Sequence, residues 1–437
     1  MEEISKINFR IYYTRRHAVC YTVSLQDLLM PTKNKPPRPD KRQAPLNARR
    51  NMKMAESAHA YVRGNTSKFY EWLDGIEGHT LPEGPAIWIC GDCHTGNLGP
   101  VADADGRIAI QIRDLDQTVI GNPAHDIIRL GLSLATAARG SNLPGVTTAR
   151  MMEALADGYE RAFDDNASNA AKNVKPEAVR VVMKEAVRRT WQQLAVERIE
   201  DVEPTIPLGK RFWPLDKAER TEIHELFERR EIANIATALR KNADEKRVDV
   251  IDAAYWVKGC SSLGRLRYAV LLDIDGGALE GDDLCLIDIK EAVKAAAPRY
   301  TDQGPDKRMP RDNAERVLEG ARHLTPALGE RMRAARLTDK SVIIRELLPQ
   351  DLKLTLEQFT EAEAMKAARF LALVVGKAHA RQMDKHERRD WLSVLRKSRT
   401  KTFDAPSWLW TSIVELVSSH EAGYLEHCRR YALTPSA

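Results

Sequence analysis

The sequence contains no apolar run approaching the ~18 residues of a membrane span, so no transmembrane helix is expected. Its opening, MEEISKINFR, is acidic and lacks the basic-then-apolar plan of a secretory signal, which makes the cytoplasm the expected location. Cysteine is scarce. The six residues Cys20, Cys90, Cys93, Cys260, Cys285 and Cys428 are scattered apart from one close pair, as expected of free thiols in a reducing compartment. Charge of one sign is lacking too. With 67 Lys and Arg against 62 Asp and Glu, the net charge of +5 offers no concentrated basic face, and nucleic acid is not an expected partner. There is no internal repeat.

What is present describes an ordinary globular chain, 43% hydrophobic and 30% charged. A length of 437 residues exceeds one compact core at ~150 residues per domain, so two or three lobes are expected. Residues 31–50, PTKNKPPRPDKRQAPLNARR, are Pro-rich and basic with little to bury, and read as a solvated arm or linker. Residues 56–76 have the aromatics of a packed helix. AIWIC (86–90) and RIAIQIRD (107–114) read as a strand pair bracketing a polar loop. Helical periodicity runs from Asp126 to about Lys241. Strands return at 254–276, a hairpin, and at 283–292. A helix is expected over 311–324, a strand over 340–349, and a long amphipathic helix or helix pair over 355–382. The expected divisions are an arm over 1–50, a catalytic and helical part over 51–247, a β-rich part over 248–352, and closing helices over 353–437.

The bracketed loop carries the chemistry. WICGDCHTGNLGP places Asp92, His94 and Asn97 close together, and RDLDQT follows with Asp114 and Asp116. Phosphoryl transfer asks little covalent chemistry of a protein and much positioning and charge neutralisation. One Asp accepts the proton of an attacking hydroxyl, while an Asn and a later Asp hold Mg²⁺ through hard oxygen ligands. Asp92, Asn97 and Asp114 fit these roles in order. Asp116 either assists the metal through a water or caps the loop.

The segment CGDCHTGNLGP…IAIQIRDLDQTVIGNPAHDIIRL resembles the catalytic segment of aminoglycoside- and choline-type kinases, roughly H-G-D-x-H-x-x-N, I-D-aromatic and G-D-P-x-x-D. Gly91, Asp92, His94, Asn97, Asp114, Gly121, Pro123 and Asp126 match. Cys90 replaces the first His, and Leu115 the aromatic residue. In such kinases a nucleotide lobe precedes this loop, whereas here its parts lie downstream. VKGCSSLGRLRYAVLL would supply a backbone lid over phosphates from Gly259, Ser261, Ser262 and Gly264. The resemblance then makes Lys290 in LIDIKEA the phosphate-binding lysine, and Glu319, or Glu315, its ion-pair partner. IIRELLPQDLKL fits the last strand and hinge, and FLALVVGKAHARQ is similar to the helix that precedes the loop in those kinases.

The resemblance therefore implies an α+β, two-lobed, protein-kinase-like fold in circularly permuted order, which is cheap where the chain ends lie at the surface. It implies an ATP- and Mg²⁺-dependent phosphotransferase acting on a hydroxyl of a small molecule, with the acceptor pocket in the helical lobe 127–245. From about Arg49 onward the chain also resembles the bacterial family of domain of unknown function 2252, through AYVRG and KAHARQ among other stretches. AMP transfer on the same scaffold, or nucleotide binding without catalysis, is the rival expectation.

Other readings attach to single residues. Cys90 and Cys93 form a CxxC that, with His94, has the look of a metal or redox site, but no second Cys pair exists. Asp103 and Asp105 fit a hairpin turn around Gly106 better than a calcium loop, which needs a terminal Glu. Asp126 is expected to cap the following helix and to brace the loop. His94 reads as a hydrogen-bonding brace, and Arg63 either as a side chain within reach of a phosphate or, the preferred reading, as half of a surface salt bridge.

Overall fold

The computed structural model describes residues 36–75, 81–164, 175–188, 205–236, 247–275, 284–299, 309–348, 352, 360–397, 399 and 404–431. Three helices come first, α1 (Gln43–Ala55), α2 (Ala58–Gly64) and α3 (Thr66–Gly75). They are followed by strands β1 (Ile87–Ile89), β2 (Leu98–Ala102), β3 (Ile108–Ile112) and β4 (Val119–Gly121). Helices α4 (Ala124–Gly140), α5 (Gly145–Glu160) and α6 (Glu177–Arg188) lead to β5 (Phe212–Trp213) and α7 (Lys217–Glu228). The largest sheet adds β6 (Val248–Trp256), β7 (Arg267–Ile274) and β8 (Leu284–Glu291), then, after α8 (Asn313–Leu324), β9 (Met332–Leu337) and β10 (Lys340–Leu347). The chain closes with α9 (Glu361–Ala380), α10 (Lys385–Lys397) and α11 (Ser407–Tyr431). The fold is mixed α/β, and Pro36–Ala437 forms one compact unit. No described helix is long and apolar enough to cross a membrane.

The six-stranded sheet has the order β5-β6-β7-β8-β10-β9, every neighbour antiparallel. Apolar clusters cover both faces of its central strands, so β7 reads as a nearly continuous apolar run instead of alternating. Tyr268, Val270 and Leu272 face a core shared with Ile223, Leu226 and Phe227 of α7, while Ala269 and Leu271 face a smaller cluster with Trp256 and Leu286. Residues 212–236 therefore serve the sheet. This corrects the expectation that they belong to a helical lobe: the periodic apolar face of α7 matches a sheet as well as it matches other helices.

The other large core joins β1 to β4 with α4, α5, α8, α9 and α11. Gly158 and Gly376 let α5 and α9 cross closely. A Cβ at 158 would lie 2.1 Å from the Arg369 carbonyl, and one at 376 would lie 2.9 Å from that of Tyr159.

Several sequence expectations change. The Pro-rich arm ends sooner than residue 50, since α1 begins at Gln43, Leu46 is buried, and buried Arg42 pairs with Glu219 at 2.6 Å. One apolar side chain and one desolvated ion pair suffice to anchor a segment that composition assigns to solvent. The helix expected over 56–76 breaks into two around Asn65. β1 does not pair with β3: β1 pairs with β4 and β2 with β3, because the polar loop itself supplies a strand. The expected helix past Arg188, the hinge past Leu348 apart from Leu352, and the start of the helix expected from 355 lie outside the described residues.

Candidate active site

The loop after β1 is built around buried carboxylates. Gly91 opens it with φ +72, and a Cβ there would lie 2.1 Å from the Gln117 carbonyl, so only glycine fits. Asp92 follows, its side chain 8% exposed. One of its oxygens accepts from Arg129 Nε at 2.8 Å and the other from the Thr66 hydroxyl at 2.8 Å. Arg129, on α4, also donates to the Val62 carbonyl at 2.6 Å, tying α2 to the loop. His94 Nδ1 accepts from the Gly96 amide at 3.1 Å, and burial pushes its imidazole down to about 3, so it is neutral at ordinary pH. Asn97 donates to the Asp92 carbonyl at 2.9 Å, leaving its amide oxygen unused among the described residues.

The ribbon of β2 and β3 brings the second acidic segment alongside. The Arg113 amide donates to the Asn97 carbonyl at 2.7 Å, so Asp114 leaves the ribbon beside Asn97. In the large sheet, Lys290 and Arg267 are register partners on β8 and β7, and Asp288 pairs with Arg345 on β10. Because side chains alternate along a strand, all four project from one face of the sheet. Arg267 Nε donates to Asp288 at 2.8 Å, and Arg345 donates to the Arg113 carbonyl at 3.2 Å. Lys290 Nζ lies 3.4 Å from both oxygens of Asp114, 176 positions away, and pairs closely with Asp116.

The two carboxylates at Lys290 are driven apart in acidity. Burial acts to raise Asp114, but Lys290, Arg267 and Arg345 overcome it and hold its carboxyl well below the usual range. Burial and the charge of Asp114 push Asp116 up. Asp288 is brought down to about 2, Arg267 outweighing the opposing effect of burial.

A polar relay braces the loop from behind. Asp126 accepts the amides of Cys90 at 2.7 Å and Gly91 at 2.9 Å, and His379 Nε2 reaches it at 3.1 Å. His379 Nδ1 meets the Tyr159 hydroxyl at 2.8 Å, which accepts from Trp391 Nε1 at 3.2 Å. Gln382 pairs with both backbone polar groups of Trp88 at 2.9 Å, setting the end of α9 beside β1. Asp126 is thus a loop brace and not a helix cap; Asn122 accepts the first amide of α4 at 3.0 Å.

The Asp126 oxygens are also why Cys90 and Cys93, though within 4.8 Å of that carboxylate, make a poor metal site. The carboxylate is spent on amides and imidazole, and hydrogen bonding to Cys93 together with burial pushes the Cys90 thiol well up.

Two other assignments change. Glu319 does not meet Lys290: it pairs with Arg322 at 2.5 Å on the outer side of α8, and Glu315 is exposed. The α8 residue that reaches the site is Arg316, which donates to the carbonyls of Asp116 at 3.0 Å, Val293 at 2.9 Å and Thr118. Among the described residues Arg63 has no salt-bridge partner. Its guanidinium lies over Gly96, where a Cβ would sit 2.7 Å from its terminal nitrogen.

The glycine turn is held from the N-terminal helices. Lys53 of α1 donates to the Gly259 carbonyl at 2.8 Å, and Gln43 fills the space a Cβ at Gly264 would need. Ser261 is half-buried, whereas Ser262 is buried with its hydroxyl on the Lys258 carbonyl at 3.3 Å.

Arg129, Thr66, Arg316 and His379 escaped the sequence reading. Arg129 carried a signal, a lone cation in the otherwise apolar run IIRLGLSLATAA one helical turn past Asp126.

No match was found among curated proteins or among solved structures. A family model described as "Uncharacterized protein conserved in bacteria (DUF2252)" matches residues 42–430, a span that takes in the Asp92 loop, the sheet with Lys290 and the brace from α9, and the chain belongs to that family.

Proposed function

We propose that the protein is a phosphotransferase that moves the terminal phosphoryl group of ATP, with Mg²⁺, to a hydroxyl of a small molecule, on a two-lobed kinase-like scaffold in permuted order. The observation that carries the reading is the meeting of Lys290 with Asp114 at 3.4 Å, beside the ribbon end that holds Asn97. A hydroxyl bound at Asp92 would pass its proton to the carboxylate, which Arg129 and Thr66 hold in place. Asn97 and Asp114 offer the hard oxygen donors that would hold Mg²⁺, and the ion supplies charge neutralisation on the phosphates. Lys290 balances two carboxylates in the free protein and is the group to exchange them for phosphate oxygens. The contact of α9 with β1 supports the permuted order, since it seats a late helix where the kinase resemblance expects the one before the loop.

A thermal-shift screen with ATP and ADP, with and without Mg²⁺, tests the reading. A ligand at 100 times its Kd stabilises the native state by about 2.7 kcal/mol. The expected outcome is a Mg²⁺-dependent nucleotide shift that Asp114→Ala abolishes without loss of the folded baseline. A full metal-dependent shift in that variant removes Asp114 from the site, and no shift with any nucleotide in the native protein removes the reading.

A further inference from the structure

Arg63 is a cation at the candidate site for which the roles above have no use. Its guanidinium has no hydrogen bond or ion pair among the described residues, and its Nε is buried without a partner. A buried donor such as this Nε calls for a partner, since buried donors are nearly always paired. The half-buried side chain it belongs to is open to a ligand. Its placement is defined on two sides. It lies flat over Gly96, in the 3-10 turn between His94 and Asn97. Its neighbour Gly64 abuts the glycine turn, a Cβ there falling 3.2 Å from Cys260 Sγ. Arg63 thus stands between the turn and the catalytic loop.

Among the described residues no carboxylate is left free to pair with it. The carboxylate of Asp92 is taken by Arg129 and Thr66, and that of Asp114 by Lys290. His59, one turn earlier on α2, also has an unpartnered buried Nε2; burial, then Arg63 and Arg129, push it down to about 4, so it is neutral at ordinary pH.

We propose that Arg63 binds the terminal phosphoryl group of the nucleotide as that group passes from beneath the Gly259–Gly264 turn to the acceptor at Asp92. The proposal rests on the phosphotransferase reading and deepens it. In the step, the acceptor oxygen bonds to phosphorus as the bond to the bridging oxygen of ADP breaks, and the hydroxyl proton goes to Asp92. Arg63 keeps its own protons throughout and neutralises the charge on the non-bridging oxygens. Its planar fork suits two of those oxygens, and the missing side chain at Gly96 leaves the guanidinium room to lie against the loop.

The test compares ATP·Mg²⁺ with ADP·Mg²⁺ binding in the native protein, Arg63→Gln and Gly96→Ala. ADP lacks the group that Arg63 is to hold, so ADP serves as the control for folding and for the rest of the site. The native protein should bind ATP more tightly than ADP. Arg63→Gln should weaken ATP roughly 10- to 100-fold, the scale of a charge-assisted contact, and leave ADP unchanged. Gly96→Ala, whose Cβ displaces the guanidinium, should do the same with Arg63 intact, and Arg63→Lys should recover part of the loss. If Arg63→Gln keeps the native ATP-over-ADP ratio, Arg63 does not hold that phosphate while the phosphotransferase reading stands. If the native protein binds neither nucleotide, both fall together.

Discussion

Asp92→Asn separates the two tasks that Asp92 is given, accepting a proton and holding a buried cation. The carboxylate meets Arg129 Nε at 2.8 Å, with the two side chains 8% and 1% exposed. Removing one partner of such a pair costs about 3–5 kcal/mol, because the other charge stays desolvated. Asparagine retains more than alanine. Its oxygen can face Arg129, and the Thr66 hydroxyl, now a donor at 2.8 Å, can turn to accept from the new amide. The loss should then be about 2–3 kcal/mol, the charge-assisted part of the bond. Arg129→Met alone strips Asp92 of its cation and leaves the Val62 carbonyl unpaired, so it should cost at least as much. The double variant should be less destabilised than the sum of the two by about 1–3 kcal/mol, since neither charge is left stranded. Urea unfolding of the four proteins measures that coupling. Basal ATP turnover, read as ADP release, should fall ~10²–10⁴-fold in Asp92→Asn, and restored stability in the double variant should not restore it. Strict additivity of the unfolding energies would refute the buried ion pair, and undiminished turnover would refute the base.

The other expectations follow from the same geometry. Asp126→Ala leaves the amides of Cys90 and Gly91 and the His379 ring without their acceptor, a loss of about 3–5 kcal/mol. Faster hydrogen exchange at those two amides checks it, and a midpoint shift worth under ~1 kcal/mol would dismiss the brace. On acidification, burial and the nearby Arg129 put His420 at about 4, below its ordinary 6.5. The unfolded chain therefore takes up the proton first, and the stability His420 contributes is whole above pH 6.5 and lost as pH falls toward 4. At ~1.36 kcal/mol per unit, the loss approaches about 3 kcal/mol, and His420→Gln should flatten the fall in Tm over that window; an unchanged slope would contradict it. Phosphoryl transfer leaves ADP where AMP transfer leaves pyrophosphate, so pyrophosphate among the products would favour the rival chemistry.

Much of the candidate site was legible because its spacing is local. Asp92, Asn97 and Asp114 lie on one loop and the hairpin that follows it, where backbone geometry alone puts near neighbours together. The three strands β6 to β8 were legible for a similar reason, as short apolar runs separated by turns, although the expected hairpin began at 254 and missed the start of β6 at Val248. The Glu319 assignment failed although the sequence held the correction. Ala314, Val317, Leu318, Ala321 and Leu324 define the buried face of α8, and Glu315 and Glu319 lie off it. The helix phase, set by apolar burial, turns Arg316 toward the loop instead.

Partners joined over long separations depended on packing alone. The sequence determined, by itself, that a carboxylate-rich loop stands early in the chain and that an apolar sheet with a lysine on its last consecutive strand stands late. Only the tertiary structure decided that Lys290 would meet Asp114 and Asp116, that Arg129 would hold Asp92, and that Arg63 would lie over Gly96. A sequence pattern specifies which face of an element is apolar, but not which other face will cover it. Where a charged side chain ends up depends on that second choice, made when the helices and the sheet close over a common core.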